Sequence, residues 1–403
     1  MRRKNHSMPD ILKGVTVLDL TQNIAGPFCT QLLGDFGAEV LKVERPGSGD
    51  DARKWTPPAW HGVGTAFLAV NRNKKSVGVD LNAPEGREII RRLADKADVL
   101  VHSTRPGSLE SRGLGYDDLK AGNPGLVYCA ISAFGESGPL VRDPGYDPLI
   151  QAFTGIMSVT GHPDRPPARV GVSIIDMGTG LWAFSGVLAA LYRRRETGLG
   201  GKVAASLMET GVNWMSIFLA HYMGAGHIGA RMGDVTPMTS PYESFKTQDG
   251  AVLITAANEK LFANVCRALG VPELAQDSRF NSNSQRVLNR PELHALLEAR
   301  TSRVTSDECV ALMRQAGAPC STINTVDAVY RNEQVNAMGM IRPLAAPDLP
   351  DFKTVDLPVS IDDEKASLRL PPPVLGFHTD AVLVGAGYTM QEVAALRAAK
   401  VIG

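Results

Sequence analysis

The sequence predicts an α/β protein with a large domain built on an open parallel sheet and a smaller α+β domain. Two observations support this prediction. Roughly the first 130 residues alternate apolar strands with amphipathic helical stretches, a pattern that favours parallel β-α-β units. From about Pro237 the chain instead alternates apolar and polar residues around Asp249-Gly250, which is typical of a β-hairpin.

The large domain is predicted to alternate strands and helices, because short apolar runs are separated by amphipathic segments. Its predicted elements are strands at 15–20, 39–44, 76–81, 98–103 and 126–132, helices at 28–38 and 84–97, and a turn at Gly26-Pro27. An apolar strand is also predicted at 170–175, directly before a long helix that starts at Met177. Arginines in the last turn of that helix, with Gly198 just beyond, indicate its C-terminus.

The domain boundaries are predicted from these changes in pattern. The expected parts are residues 1–200 as the first part of the large domain, 201–224 as a linker helix, 225–330 as the small α+β domain, and 331–403 as the return to the large domain. The return segment is rich in proline from Pro343 to Pro373 and is therefore expected to be extended. A short helix is predicted from Met390.

Composition excludes several classes of partner. Lysine plus arginine equals aspartate plus glutamate, at 42 each, so no net field attracts the chain to nucleic acid or to a membrane. The five cysteines are scattered without a C-x-x-C pair, and the eight histidines show no metal-ligand spacing, so we expect no disulfide framework and no metal site. The basic N-terminus lacks a following apolar segment, which predicts a frayed tail and a cytoplasmic protein.

Asp176 is the most informative residue, because it lies between the apolar run at 170–175 and the long helix. Most aspartates at such a junction are helix N-caps, whose oxygens accept free backbone N–H groups. The alternative is a nucleophilic carboxylate. The segment alone favours the cap, and only the rest of the chain favours the nucleophile.

Other motif-based functions find little support. A dinucleotide site is suggested by Glu44 at the end of the first β-α-β unit, but the required G-x-G-x-x-G is missing after the first strand. The glycines at 224–229 follow a helical stretch, which is the wrong context. The sequence also lacks a G-x-S-x-G elbow, a P-loop and an H-E-x-x-H motif.

The segments that remain resemble one family. They are AGPFCTQLLGDFGAEVLKVERPGSGDDAR, NRNKKSVGVDL, RPGSLESRGLGYDDLKAGNPGLVYCAISAFGESGP and GYDPLIQAFTGIMSVTG, followed by Asp176 and later by PYESFKTQDG and PVLGFHTD. In this order they resemble the class III CoA-transferases, over nearly the whole chain. The resemblance implies a Rossmann-like large domain joined by two linkers to the small domain, in a homodimer of interlocked rings.

The resemblance also implies the chemistry and the site residues. Asp176 is expected to attack an acyl-CoA thioester and form a mixed anhydride, so that CoA passes between carboxylic acids as a substrate and no cofactor is permanently bound. Gly178 and Gly180 are expected either to leave room for the substrate or to allow helix packing. The positions expected to bind CoA are Asn23, Ile24, Ala25, Arg45, Asn73, Lys74, Lys75, Arg105, Arg112 and Tyr146. For Lys74 and Lys75 a solvated surface turn is an equal alternative.

Departures from the family pattern bear on the substrate. Ile24 stands where the formyl-CoA enzymes have a catalytic glutamine, so another donor, either Asn23 or a backbone N–H group, must serve. Formate and oxalate are not favoured. The segment ARMGDVTPMTSPYESFKTQDG most resembles the enzymes that use succinyl-CoA with dicarboxylates. The hypothesis for Arg231 is that it pairs with a distal carboxylate. The alternative, which a single arginine more often follows, is a surface salt bridge.

Two alternatives to a transferase remain open. One is the α-methylacyl-CoA racemases, which share the fold and the aspartate but need a histidine where this chain has Tyr146. The other is a CoA-binding scaffold without activity. The intact Asp176 argues against the scaffold.

Overall fold

The structure is a computed structural model that describes residues 10–403. The predicted frayed tail at the N-terminus lies outside the described residues. The chain divides into two compact units. The first contains the residues up to Gly155, Val170–Ala220 and Gln334–Gly403, and the second contains Ile156–Arg169 and His221–Glu333.

The described residues form short strands and mostly short helices. The strands are β1 (Thr16–Leu20), β2 (Glu39–Glu44), β3 (Ala59–Trp60), β4 (Val63–Gly64), β5 (Lys74–Gly78), β6 (Val99–His102), β7 (Val127–Ser132), β8 (Gly201–Ser206), β9 (Tyr242–Lys246), β10 (Ala251–Thr255), β11 (Cys320–Thr322), β12 (Ile341–Pro343) and β13 (Lys353–Val355). The α-helices are α1 (Ala25–Asp35), α2 (Thr65–Ala69), α3 (Pro84–Ala94), α4 (Tyr116–Leu119), α5 (Asp147–Phe153), α6 (Ile156–Val159), α7 (Ile174–Thr197), α8 (Leu207–Trp214), α9 (Ser216–Ala225), α10 (Glu259–Ala268), α11 (Asn283–Leu288), α12 (Arg290–Thr301), α13 (Ser306–Ala316), α14 (Val326–Arg331), α15 (Glu333–Ala337), α16 (Thr379–Gly385) and α17 (Met390–Ala398).

The first unit is built on a six-stranded parallel sheet in the order β5-β2-β1-β6-β7-β8. This confirms the predicted α/β fold with an open parallel sheet. The chain runs from β1 outward through β2 to β5, and then from β6 outward through β7 to β8. The strand order therefore reverses between β1 and β6, which are paired in register from Val17 with Val99 to Leu20 with His102.

Both faces of this sheet are covered by helices. Val17 and Val99 point to the face that α1 and α7 cover, and they belong to one buried apolar cluster. Leu18 and Leu100 point the opposite way and pack with residues of α3, α16 and α17. Successive residues of a strand alternate between faces, so strands buried on both sides read as continuous apolar runs in the sequence.

Two predictions at the starts of α1 and α7 were wrong. The segment 170–175 is not a strand, because α7 already begins at Ile174. The turn predicted at Gly26-Pro27 is the first turn of α1, where a proline is tolerated because its missing N–H has no helical acceptor. The C-terminus of α7 is as predicted, with Gly198 at φ 71° just after Thr197.

α7 also has the length and apolarity of a membrane-spanning helix, the only such helix within residues 10–403. Half of that apolar segment is buried inside the first unit. Phe184 and Val187 of α7 lie in the core together with Leu32 of α1. These contacts are those of a core helix.

The predicted linker helix at 201–224 begins instead with β8. Gly201 pairs with Val127 and Ser206 with Ser132, which completes the sheet at its edge. Only after Ser206 does the chain become helical, in α8 and α9. Helical periodicity alone could not reveal this strand, because its pairing partner lies far away in the sequence.

The second unit contains a three-stranded antiparallel sheet in the order β11-β10-β9. The hairpin predicted around Asp249-Gly250 is confirmed by the pairing of Ala251 with Lys246 and of Thr255 with Tyr242. Its apolar side packs against α10, α12 and α13. The predicted short helix from Met390, in the first unit, is confirmed as α17.

Candidate active site

A cavity of about 220 Å³ lies in the first unit, at the carboxyl ends of β1, β6, β7 and β8. Asn23 reaches it after β1, Ser103 after β6, Ala133 after β7 and Leu207 after β8. In open α/β sheets, ligands bind outside the carboxyl ends of the strands at the point where the strand order reverses. The cavity therefore lies where this class of fold binds its ligands.

Asp176 lines this cavity from the first turn of α7. Its side chain is half-buried, and burial together with the nearby Asp147 raises its pKa to about 7. It is not the helix cap that the local sequence favoured, because Ser173 occupies the N-cap position and Asp176 is the third residue of the helix. A carboxyl group with a raised pKa in a ligand cavity is a candidate for a reactive group.

Asp147 binds the N–H groups that a cap would have bound. Its Oδ2 atom accepts hydrogen bonds from the backbone N–H of Ile175 at 2.7 Å and of Asp176 at 3.2 Å, and its Oδ1 atom accepts one from the side chain of Gln151 at 2.6 Å. The sequence alone did not identify Asp147 as a functional residue. Its position before a proline at the start of α5 indicates only a helix start, whereas its contact with Asp176 spans 29 residues.

Gly178 and Gly180 are explained by helix packing. A Cβ atom on Gly178 would lie 2.8 Å from the ring of Trp214 in α8, and one on Gly180 would lie 2.6 Å from the carbonyl oxygen of Ala25 in α1. Larger residues would push these helices apart. The contact at Gly180 places the start of α7, and so Asp176, next to the start of α1.

Asn23, Ile24 and Ala25 line the cavity together with Asp176. Asn23 has a φ of 71°, and its backbone N–H donates to Asp50 Oδ1 at 3.0 Å. Its side-chain Oδ1 atom is buried and has no hydrogen-bond partner within residues 10–403. α1 begins at Ala25, so its first-turn N–H groups have no acceptor within the helix. The loop therefore offers polar groups close to the carboxylate.

Tyr146 and Arg105 also line the cavity and are both exposed. Tyr146 is 59% exposed and immediately precedes Asp147. Arg105 follows β6, and in the described part of the chain its guanidinium has no recorded hydrogen bond or ion pair. Both side chains are available to a ligand.

A second cavity, of about 170 Å³, lies at the carboxyl ends of β1, β2 and β5 and contains Arg45 and Arg112. Arg45 pairs with the exposed carboxylate of Asp51. Arg112 donates to the hydroxyl and to the carbonyl oxygen of Ser108, both at 2.8 Å. Thr104 lines both cavities, so the two cavities adjoin. Two of the arginines predicted to bind CoA, Arg45 and Arg112, thus lie in a cavity that adjoins the Asp176 cavity.

Lys74, predicted to contact CoA, is completely buried instead. Its ammonium group lies 3.1 Å from Asp19 Oδ2, 2.8 Å from the carbonyl oxygen of Pro27 and 2.9 Å from Asn71 Oδ1. Burial is the main reason that its pKa is lowered to about 8. Because all three of its N–H donors are engaged in the core, the predicted contact with CoA is not available in this structure.

Asn73 and Lys75 also line neither cavity. The buried side chain of Asn73 accepts hydrogen bonds from the backbone N–H groups of Arg369 and Leu370, which fixes the return segment. Lys75 pairs with Glu39 on the neighbouring strand. Lys74 and Lys75, at the end of the NRNKK motif, are therefore the first residues of a strand rather than part of a solvated surface turn, and alternate side chains of a strand point into the core.

Arg231 belongs to the second unit. Its Nε atom donates to the backbone carbonyl of His162 at 3.3 Å, beside the bridge between Gly161 and Gly233. Its proposed contact with a substrate carboxylate stays a prediction. Within residues 10–403, no group of three or more His, Cys, Asp or Glu side chains is arranged to hold a metal ion.

Known proteins that are similar to this chain include CoA-transferases and a CaiB/BaiF family protein. The chain is 39% identical to succinyl-CoA:glutarate CoA-transferase of Mus musculus over 372 residues, which cover 92% of this chain and 85% of the relative. It is 36% identical to succinyl-CoA–D-citramalate CoA-transferase of Chloroflexus aurantiacus, with 98% of both chains covered. A CaiB/BaiF family protein from Brucella suis has a crystal structure that matches with a TM-score of 0.84 at 37% identity, over 94% of this chain and all of the other.

The family assignment rests on nearly the whole chain. The model of CoA-transferase family III matches residues 12–379, which include the second unit, most of the first unit and the residues that line both cavities. The resemblance seen in the sequence motifs is thereby confirmed. The chain belongs to CoA-transferase family III and is an enzyme of that class.

Proposed function

We propose that this enzyme moves CoA from an acyl-CoA thioester to a small carboxylic acid, with Asp176 as the nucleophile. The observation that supports this most directly is the Asp176 carboxyl group, which lies in a ligand cavity with a pKa of about 7. Its carboxylate attacks the thioester carbonyl and forms a C–O bond. The C–S bond breaks, and its electron pair leaves on sulfur as the CoA thiolate. The enzyme-bound product is a mixed anhydride.

The raised pKa makes this step less unfavourable. An ordinary carboxylate with a pKa of about 4 displaces a thiolate with a pKa of about 8.5, and this difference in leaving-group basicity corresponds to roughly 6 kcal/mol. With the pKa of Asp176 at about 7, the difference narrows to roughly 2 kcal/mol. Burial of Asp176 therefore contributes to its reactivity rather than to the stability of the fold.

The loop before α1 supplies groups for the developing oxyanion. The free N–H groups at the start of α1 lie in the same cavity as Asp176, and fixed donors of this kind stabilise negative charge on the carbonyl oxygen. Ile24 has no polar atom in its side chain. We assign the role of the missing glutamine to the side-chain amide of Asn23, whose Nδ2 group can donate a hydrogen bond.

The adjoining cavity is assigned to the nucleotide end of CoA. Arg45 and Arg112 lie there, and guanidinium groups bind phosphates with paired hydrogen bonds. Arg105 and Tyr146 lie in the Asp176 cavity and are assigned to the CoA chain between the two ends. With its nucleotide end in the adjoining cavity and its chain passing Arg105 and Tyr146, CoA would have its thioester beside Asp176.

The proposed acid is a dicarboxylate. The mouse relative is named for succinyl-CoA and glutarate, and the Chloroflexus relative for succinyl-CoA and D-citramalate, so both carry names of diacids. We propose succinyl-CoA as the donor and Arg231 as the residue that binds the second carboxylate. Arg231→Ala should reduce the preference for diacids over monoacids about tenfold. Arg165→Ala, at an exposed arginine of the same unit, is the matched control, and an unchanged preference in Arg231→Ala would exclude this role.

We also propose an interlocked homodimer that acts in the cytoplasm. Support for assembly comes from apolar side chains exposed on α7, α8 and α9 of the first unit, including Trp182, Trp214 and Ile217. A surface with this many exposed aromatic and aliphatic residues commonly marks an interface. Sedimentation equilibrium should give twice the mass of the chain, and a monomeric mass would contradict the proposal.

The function is tested by a panel of acyl-CoA donors and free acids, with CoA exchange followed by mass spectrometry. We expect transfer from succinyl-CoA to C4–C6 diacids, and cleavage or an adduct at Asp176 after hydroxylamine trapping. Asp176→Ala should reduce transfer by more than about a thousandfold, because the other carboxyl group that lines the cavity, Asp143, is exposed to solvent. Transfer at the unmodified rate would remove the proposed mechanism.

The same panel separates the racemase alternative. A racemase would exchange the α-proton of its acyl-CoA with solvent and transfer no CoA. Such an enzyme needs a second acid/base group, and the position that would carry it holds Tyr146. We therefore expect no α-proton exchange in deuterated water.

A further inference from the structure

Asp147 and Asp176 form a pair of neighbouring carboxyl groups with unequal surroundings. Asp147 is only 3% exposed and accepts three hydrogen bonds, two of them from the backbone of α7. Asp176 is half-buried, lines the cavity and has no recorded side-chain hydrogen bond within residues 10–403. Hydrogen bonds stabilise the charged form of a carboxyl group. Asp147 is therefore the one of the two whose carboxylate oxygens are held by donors.

We propose that Asp147 is a positioning residue for Asp176, which fixes the first turn of α7 and uses its negative charge to keep the Asp176 carboxylate basic enough to attack a thioester. This inference deepens the proposed function and rests on it, because it concerns how the nucleophile is activated. The two effects have separate origins. The first comes from the acceptor oxygen of Asp147, and the second from its charge.

The hydrogen bonds that Asp147 accepts explain why the Asp176 side chain faces the cavity. The N–H groups at the start of a helix have no helical acceptor and attract anions. If they were free, the Asp176 carboxylate could turn back and accept them as a cap does, which would lower its basicity. Asp147 Oδ2 occupies the N–H groups of Ile175 and of Asp176 itself. The Asp176 side chain is thus left to face the cavity.

The charge explains the basicity. A negative group next to a carboxyl group disfavours its ionisation, and Asp147 is the neighbouring charge that raises the pKa of Asp176, after burial as the larger cause. The other ionisable side chains that line the cavity are Arg105, Asp143 and Tyr146. All three are exposed, so solvent screens their effects more strongly.

The decisive variant is Asp147→Asn, because an asparagine oxygen can accept the same N–H groups but carries no charge. We expect the apparent pKa of Asp176 to fall by about one unit or more. It can be read directly from the side-chain carboxyl ¹³C signal of Asp176, which Asp176→Asn identifies by its loss. This titration needs no turnover, so it gives a result even if the proposed CoA transfer is wrong.

Kinetics give the second readout. In single-turnover acylation by succinyl-CoA, the rate of Asp147→Asn should persist to lower pH than that of the unmodified enzyme, while the rate at pH 8 should fall about threefold to tenfold. An equal loss at every pH, with an unchanged Asp176 titration, would mean that Asp147 is only structural and would overturn the inference.

A matched control is available in the second unit. Asp249 also accepts an N–H group at the start of a helix, from Ser306 at 2.8 Å, but it lies in the small domain. Asp249→Asn should leave both the Asp176 titration and the acylation profile unchanged. Asp147→Ala, which removes acceptor and charge together, should lower the melting temperature more than Asp147→Asn does. If the two variants melt at the same temperature, the acceptor part of the inference fails.

Discussion

Two buried aspartates of the first unit have opposite surroundings and opposite roles. Asp19, in β1, is completely buried between Lys74 and Lys42 and accepts hydrogen bonds from Thr21 and Thr30. Burial alone would raise its pKa, but the two lysines and the hydroxyl donors lower it below the ordinary value. Its charge is fully compensated in the core.

Asp176 is less deeply buried, yet its pKa is raised to about 7, because burial raises it and its charged neighbour, Asp147, is a carboxylate that raises it further, where a lysine would lower it. The comparison teaches that burial does not decide whether a carboxyl group is reactive. The partners decide it: cations and hydroxyl donors make Asp19 inert, whereas their absence and a like charge leave Asp176 basic. Two predictions test this difference, and a third, with the smallest expected effect, tests the adjoining cavity.

Removal of Lys74, the cation beside Asp19, should have the largest effect on the stability of the fold. Lys74→Met removes the lysine in direct contact with the buried Asp19 carboxylate, and we expect a loss of about 3–5 kcal/mol in the free energy of unfolding, measured by urea denaturation. Lys75→Met, which removes only the exposed pair with Glu39, should cost less than about 1 kcal/mol. If Lys74→Met were as stable as the unmodified protein and only weakened CoA binding, the core role of Lys74 would be wrong.

Removal of the charge at Asp176 should instead increase the free energy of unfolding. The pKa of Asp176 is higher in the folded protein than in the unfolded chain, so its ionisation destabilises the fold. This destabilisation is absent below about pH 4 and complete above about pH 7. Asp176→Asn should therefore raise the free energy of unfolding by about 2–4 kcal/mol at pH 8 and by much less at pH 5. Asp19→Asn serves as the counterpart and should destabilise at both pH values. A destabilised Asp176→Asn at pH 8 would mean that this carboxylate is compensated after all.

The smallest effect is expected at the arginines of the adjoining cavity. Arg112→Ala and Arg45→Ala should each weaken acyl-CoA binding about tenfold, or about 1.4 kcal/mol, while the rate at saturation changes little. Binding can be measured by calorimetry with a non-hydrolysable thioether analogue. Arg92→Ala, on the exposed face of α3, is the control. Equal affinities in all three variants would place the nucleotide end of CoA elsewhere.

Much of the fold and part of the site could be read from the sequence. The β-α-β pattern, the hairpin at Asp249-Gly250 and the end of α7 at Gly198 are local features, and the structure confirms them. The NRNKK motif misled because a motif does not show which side chains of a strand point inward. Lys74 belongs to the core for that reason.

Local periodicity was sufficient to predict the α/β class, and the resemblance carried by the ordered motifs indicated CoA-transferase family III and singled out Asp176. Periodicity was sufficient because strands, helices and turns depend on neighbouring residues. Only the tertiary structure revealed that Asp147 contacts Asp176, that Gly180 brings α7 against α1, and that the cavity lies where the strand order reverses. These contacts join segments far apart in the chain, and the pKa of a carboxyl group depends on such neighbours and on its burial.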